Sequence, residues 1–199
     1  KNNISPSFSK DYKEIACGIA TISDNLFTLL DNGHLYKIDS DSGKWILVNN
    51  MSQKPIAISA AGENLLVLLS DGSLIEIDGQ SLKVKATFKT GIDLGMGADG
   101  TPIDYWVQSI GSKILIANEE RLPDKASYIF DTKNNACTPF GDDNVFTINS
   151  SLIIEDQKQL RGVDPETLET LWWIDKKGLG ENAHVAWLDW RGVCVISDT

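Results

Sequence analysis

The residues that could do chemistry are few and widely spaced. His34 and His184 are the only histidines. They lie far apart, and neither belongs to a Ser-His-Asp set or to a metal-ligand spacing. Cys17, Cys137 and Cys194 form no CxxC pair and read as reduced, half-buried thiols. The run Asp39-Ser-Asp41-Ser-Gly43 has the look of a calcium loop, but no bidentate glutamate or further oxygen ligand follows it. Turn chemistry is the better reading, with the aspartates accepting hydrogen bonds from nearby backbone N–H groups. The segment Thr90-Gly-Ile-Asp-Leu-Gly95-Met96-Gly97-Ala-Asp99-Gly100-Thr-Pro is rich in glycine but lacks the lysine and Ser/Thr of a phosphate-binding loop. No catalytic residue, no cofactor-binding residue and no metal ligand is expected. The remaining candidates are contacts for a partner: Met96 and Asp99 in that segment, Glu119 and Arg121 in the mixed-charge run 119–125, and three of six tryptophans, Trp173, Trp187 and Trp190.

These residues are carried on 199 residues that are 42% hydrophobic, enough for a proper core. The formal charge of −10 repels phosphate backbones and argues against nucleic acid as a partner. No apolar run approaches the roughly 18 residues of a membrane-spanning helix, so no direct membrane insertion is expected. The separated thiols read as reduced and set the expected compartment as the cytoplasm; the alternative is an extracytoplasmic one, since a signal preceding this sequence would be missing from it.

Between the candidates the chain repeats a simple grammar. Asp31-Asn-Gly-His-Leu-Tyr-Lys-Ile-Asp39-Ser-Asp-Ser-Gly43-Lys-Trp45 reads as a hairpin turn, a strand ending on aspartate, a second turn and a strand opened by tryptophan. Asn32-Gly33 predicts a type I′ turn with two positive φ angles. The pattern returns at Asp71–Asp78, at Ala126–Asp131 and at Gln159–Asp164. The strand-ending aspartates Asp39, Asp78, Asp131 and Asp164 are 39, 53 and 33 residues apart, and the glycine-rich insert between Thr90 and Asp104 accounts for the long interval. Asn64-Leu-Leu-Val-Leu-Leu69 is apolar without alternation, as suits a strand covered on both faces.

A period near 40 with four short strands per unit predicts an all-β β-propeller of four-stranded antiparallel blades. The blades fall at about 17–50, 55–90, 105–141 and 145–176, with half a blade at 183–199 and a polar tail or edge strand at 1–15. About four and a half blades either close as five, pair with another chain, or form part of a larger propeller. Helix is expected to be nearly absent.

The phrase Gly162-Val-Asp164-Pro-Glu-Thr167-Leu168-Glu-Thr-Leu-Trp172 resembles the repeat of PQQ-like β-propellers, in which an aspartate, a Thr-Gly turn and a tryptophan follow at this spacing. Leu168 stands where that family has glycine. Asp39, Ser42, Gly43 and Trp45 form a shorter variant, the second repeat keeps Asp78 and Ser81, and the third keeps little beyond Asp131. WD40-like and tectonin-like propellers are similar as well. The resemblance implies that most tryptophans fill the space between blades.

The function expected is a non-catalytic scaffold that holds protein partners in a larger assembly, in part through an open blade edge at 184–198. The alternative is a ligand-binding or enzymatic propeller, a quinoprotein fragment or a tectonin-like carbohydrate-binding module.

Overall fold

The computed structural model describes residues 16–95, 104–118, 126–140, 144–148, 151–156, 158–178, 184–189 and 192–196. Four antiparallel meanders follow one another. Blade 1 is β1 (Ala16–Ile22), β2 (Asn25–Leu30), β3 (His34–Ile38) and β4 (Trp45–Asn50). Blade 2 is β5 (Pro55–Ala61), β6 (Asn64–Leu69), β7 (Ser73–Asp78) and β8 (Val84–Lys89). Blade 3 is β9 (Tyr105–Ile110), β10 (Lys113–Asn118), β11 (Tyr128–Asp131) and β12 (Ala136–Pro139). Blade 4 is β13 (Asn144–Ile148), β14 (Ser151–Glu155), β15 (Gln159–Val163) and β16 (Thr170–Asp175). A two-stranded sheet, β17 (His184–Asp189) with β18 (Gly192–Ile196), ends the series. A single 3-10 turn, Lys176–Gly178, is the one helical element among the described residues.

The unbroken apolar runs explain how blades stack. Successive side chains of a strand point to opposite faces, so a strand sandwiched between two sheets must be apolar at every position. In β6, Leu65, Val67 and Leu69 enter the core between blades 1 and 2, while Leu66 and Leu68 enter the core between blades 2 and 3. In β10, Ile114 and Ile116 face blade 2, and Leu115 and Ala117 face blade 4. Each such side chain, fully buried, contributes about 1.5–3 kcal/mol. The first strands β1, β5 and β9 lie side by side along the inner edge of the stack. The fourth strands form the outer rim, where exposure is greatest.

The turn between the third and fourth strands is the same in blades 1, 2 and 4. Asp39 Oδ1 accepts Ser42 N–H at 2.7 Å, Asp78 Oδ1 accepts Ser81 N–H at 2.7 Å, and Asp164 Oδ1 accepts Thr167 N–H at 2.9 Å. These hydrogen bonds to the charged form hold all three carboxyls below the usual aspartate range. Four residues after each aspartate the backbone turns left-handed: Gly43 at φ 65°, Leu82 at 59°, Asn135 at 54° and Leu168 at 61°. Leucine in this region costs about 1–2 kcal/mol. Leu82 and Leu168 offset that cost by packing against the cores between blades 1 and 2 and between blades 3 and 4. The third repeat keeps the length of the turn and its left-handed residue, with asparagine, which tolerates positive φ, in the glycine place, while Asp131 Oδ1 accepts Lys133 N–H instead.

One turn differs from the expectation. Of Asn32 and Gly33, only Gly33 has positive φ, at 90°, so the turn is not type I′. Gly33 N–H closes on Leu30 C=O at 2.9 Å, which makes a type I turn followed by a left-handed glycine. Asn32 uses its Oδ1 to accept His34 N–H instead. Glycine is required because a Cβ on Gly33 would stand 2.6 Å from Met51 O, in the chain leaving β4.

Candidate interaction surfaces

The outer strands of blades 1 and 4 carry apolar side chains into solvent. On β16, Leu171 and Trp173 are each 60% exposed, and Trp172 and Ile174 are about two-fifths exposed. On β4, Trp45, Ile46 and Leu47 are similarly open. Runs of adjacent exposed apolar residues are unusual on a protein that presents them to water alone, and they mark contact surfaces.

The tryptophans therefore correct part of the sequence reading. Trp106 does pack against the core between blades 3 and 4. Trp45 and Trp172, like the predicted contact Trp173, are exposed rather than packed between blades. Trp45 leans on Tyr36 of its own blade, with ring centroids 5.5 Å apart. Trp172 lies over Gly162, its cross-strand partner, where a Cβ would come within 2.2 Å of the indole. The ring takes the space that glycine leaves, a cross-strand rescue of the bare position.

Of the predicted contacts, Trp173 is thus placed at the centre of the apolar outer strand. Trp187 stands on β17 opposite Cys194, and its side chain lies outside the described residues. Met96, Asp99, Glu119, Arg121 and Trp190 also lie outside them. The described part of the glycine-rich insert is core: Ile92 and Leu94 are buried with blades 2 and 3. Thr90 Oγ1 donates to Gly72 C=O at 2.6 Å and ties the strap to the β6–β7 hairpin.

A polar clasp joins blades 3 and 4. Glu166, in the β15–β16 turn, accepts Ser112 N–H and Ser112 Oγ–H, each at 2.6 Å, and Lys113 Nζ donates to its main-chain oxygen at 2.7 Å. The two bonds from Ser112 hold the Glu166 carboxyl below its ordinary range. Sequence reading missed this clasp because its halves are 54 residues apart. A second anchor is ionic: Lys176 Nζ lies 2.8 Å from the buried Glu155 carboxylate and pins the chain as it leaves β16.

Among the described residues catalytic groupings are thin. Asn32 Nδ2 lies 3.1 Å from His34 Nδ1, and Tyr36 Oη lies 3.4 Å from it, an amide and phenol setting rather than a nucleophile and acid. Burial pushes the Cys137 thiol up to about 11 and raises Cys17 as well. Among the described residues no three His, Cys, Asp or Glu side chains gather as metal ligands.

No protein-family model matches the chain, and no curated protein does. Solved structures do. BamB from Moraxella catarrhalis, a β-propeller, is similar with a TM-score of 0.54 at 16% identity, over 82% of this chain and 51% of that one. A chain of the mitotic checkpoint complex is similar with a TM-score of 0.57 at 15% identity, over 89% of this chain and 56% of that one. The chain spans about half the length of the solved structures it matches. Repeated four-stranded meanders, stacked through doubly covered second strands and alike in fold to these two structures, show that the chain has the β-propeller fold, similar to that of WD40-like and PQQ-like propellers.

Proposed function

We propose that this propeller is a non-catalytic interaction module that holds protein partners in a larger assembly. The observation that carries the reading is the exposed apolar stretch Leu171-Trp172-Trp173-Ile174 on the outer strand β16. Tryptophan is the commonest hot-spot residue, and an outer strand also offers unpaired backbone groups to a partner's strand. Among the described residues β17 pairs only with β18, which would offer a partner a second edge of the same kind. Support by fold likeness comes from two propellers, one of them solved within a multiprotein complex.

The test compares proteins retained from a lysate of the source organism by the wild-type chain and by a Leu171→Ser/Trp173→Ser variant. The reading expects specific proteins that the variant loses while its circular dichroism and urea midpoint hold. Identical retention by both chains would contradict it.

A further inference from the structure

The three blade interfaces are built alike at one end of the sheets, and the middle one is short of two side chains. The last residue of each first strand pairs with the first residue of the second: Ile22 with Asn25, Ala61 with Asn64, Ile110 with Lys113. Against this place the turn of the following blade sets its left-handed residue. Ile22 and Leu82 thus share the core between blades 1 and 2, and Ile110 and Leu168 share that between blades 3 and 4. Between blades 2 and 3 the corresponding positions of strand and turn are Ala61 and Asn135, and Asn135 is exposed rather than packed against the core. A cleft of about 170 Å³ is found at this interface, walled by Ala61, Leu66 and Glu76 of blade 2 and by Ser109, Ile114 and Thr132 of blade 3.

The cleft is smaller than the roughly 300 Å³ at which small-molecule sites begin, and suits one long side chain. Its apolar wall is Ala61, Leu66 and Ile114. Its charged group is Glu76, whose Oε1 accepts Asn64 Nδ2 at 2.6 Å and lies 3.3 Å from Lys85 Nζ at the solvent edge. Glu76 Oε2 has no such partner among the described residues. Lys113 also lines the cleft, but its ammonium is committed to Glu166 O at 2.7 Å and faces Asp131 at 3.7 Å. The charge left available is therefore one carboxylate oxygen beside an apolar wall, with the Ser109 and Thr132 hydroxyls near it, on a chain of net charge −10.

We infer that this cleft takes a lysine or arginine side chain from a segment of a partner protein. The methylenes occupy the place that leucine fills at the other two interfaces, and the cation meets Glu76 Oε2. The inference rests on the reading of the chain as an interaction module, and it names the chemistry of one partner contact.

The test is a nuclear magnetic resonance titration of the labelled chain with Nα-acetyl-arginine amide and with its uncharged isostere, Nα-acetyl-citrulline amide. Saturating shifts at Ala61, Ser109, Ile114 and Thr132 are expected with arginine, with a dissociation constant on the order of 1 mM. Citrulline and the Glu76→Gln variant should each bind about tenfold more weakly. Asn135→Leu, which supplies the missing plug, should abolish binding, and Lys85→Gln, which removes the competing cation, should strengthen it. Equal binding of citrulline, or shifts that ignore both Glu76→Gln and Asn135→Leu, would overturn the inference. An arginine in an extended hexapeptide should bind at least about tenfold tighter than the amide; equal affinity would remove the partner segment from the proposal. The titration does not use β16, so a chain that binds arginine here yet retains nothing through Trp173 separates failure of the β16 surface from failure of the cleft.

Discussion

β8 and β16 hold the same place in the fold, each the fourth strand of its blade, yet they meet solvent in opposite ways. β8 turns its aromatic residue inward: Phe88 packs on Phe130 at 5.6 Å and joins the core between blades 2 and 3. It sends Lys85 and Lys89 outward, the guard that natural edge strands use against unwanted pairing. β16 leaves Leu171, Trp172, Trp173 and Ile174 uncovered, with no charge among the four. The difference shows that a fourth strand can either close the core between blades, as β8 does with Phe88, or leave its apolar side chains in solvent, as β16 does.

If that division holds, core and rim substitutions separate cleanly. Phe130→Ala, at a fully buried ring, should cost about 3–5 kcal/mol in urea denaturation, whereas Trp173→Ala should stay within about 0.5 kcal/mol. A comparable cost for both would mean that β16 is part of the core. Gly162→Val should come next, at about 1 kcal/mol, by pushing the Trp172 indole off the sheet. A red shift in tryptophan emission reads the displacement, and an unchanged spectrum would show that the ring does not rest there.

The clasp between blades 3 and 4 makes a pH-dependent prediction. Glu166 is held below its ordinary range by Ser112, so its contribution is present above the unfolded value of about 4.3 and is lost as pH falls through the lower folded value. Glu166→Gln should therefore lower the urea midpoint at neutral pH and flatten the acid limb below pH 4.3; an acid limb identical to wild type would exclude the clasp. The smallest effect belongs to the turns. Asn135→Gly should raise stability by a few tenths of a kcal/mol, because positive φ no longer strains a side chain. Leu168→Gly should lower it, since removing the leucine from the core between blades 3 and 4 outweighs the relief of strain, and opposite signs in the two denaturation curves check the trade.

Much of the architecture was legible because its causes are local. Leu65 to Leu69 can be continuously apolar only between two sheets, and the aspartate turns recur at a readable spacing. The third turn was obscured because Asp131-Thr-Lys-Asn-Asn135 carries no glycine, and asparagine takes the left-handed place unannounced. Trp45 and Trp172 were misplaced because a motif gives spacing along the chain and not whether a side chain on a fourth strand reaches the next blade, as Phe88 on β8 does and these two do not. Clasp and cleft are both products of residues brought together across blades, Ser112 with Glu166 in one case and Ala61 with the Asn135 turn in the other. No pattern in a single repeat announces either.

The claim at the centre of this account is that β16 is the partner-facing surface of the propeller. A photo-crosslinking residue placed at position 173, and in a separate chain at position 89 at the far end of β8 from the cleft, tests it directly in the source lysate. The account predicts discrete protein adducts from position 173 and none of them from position 89. The same adducts from both positions, or none from 173, would contradict it.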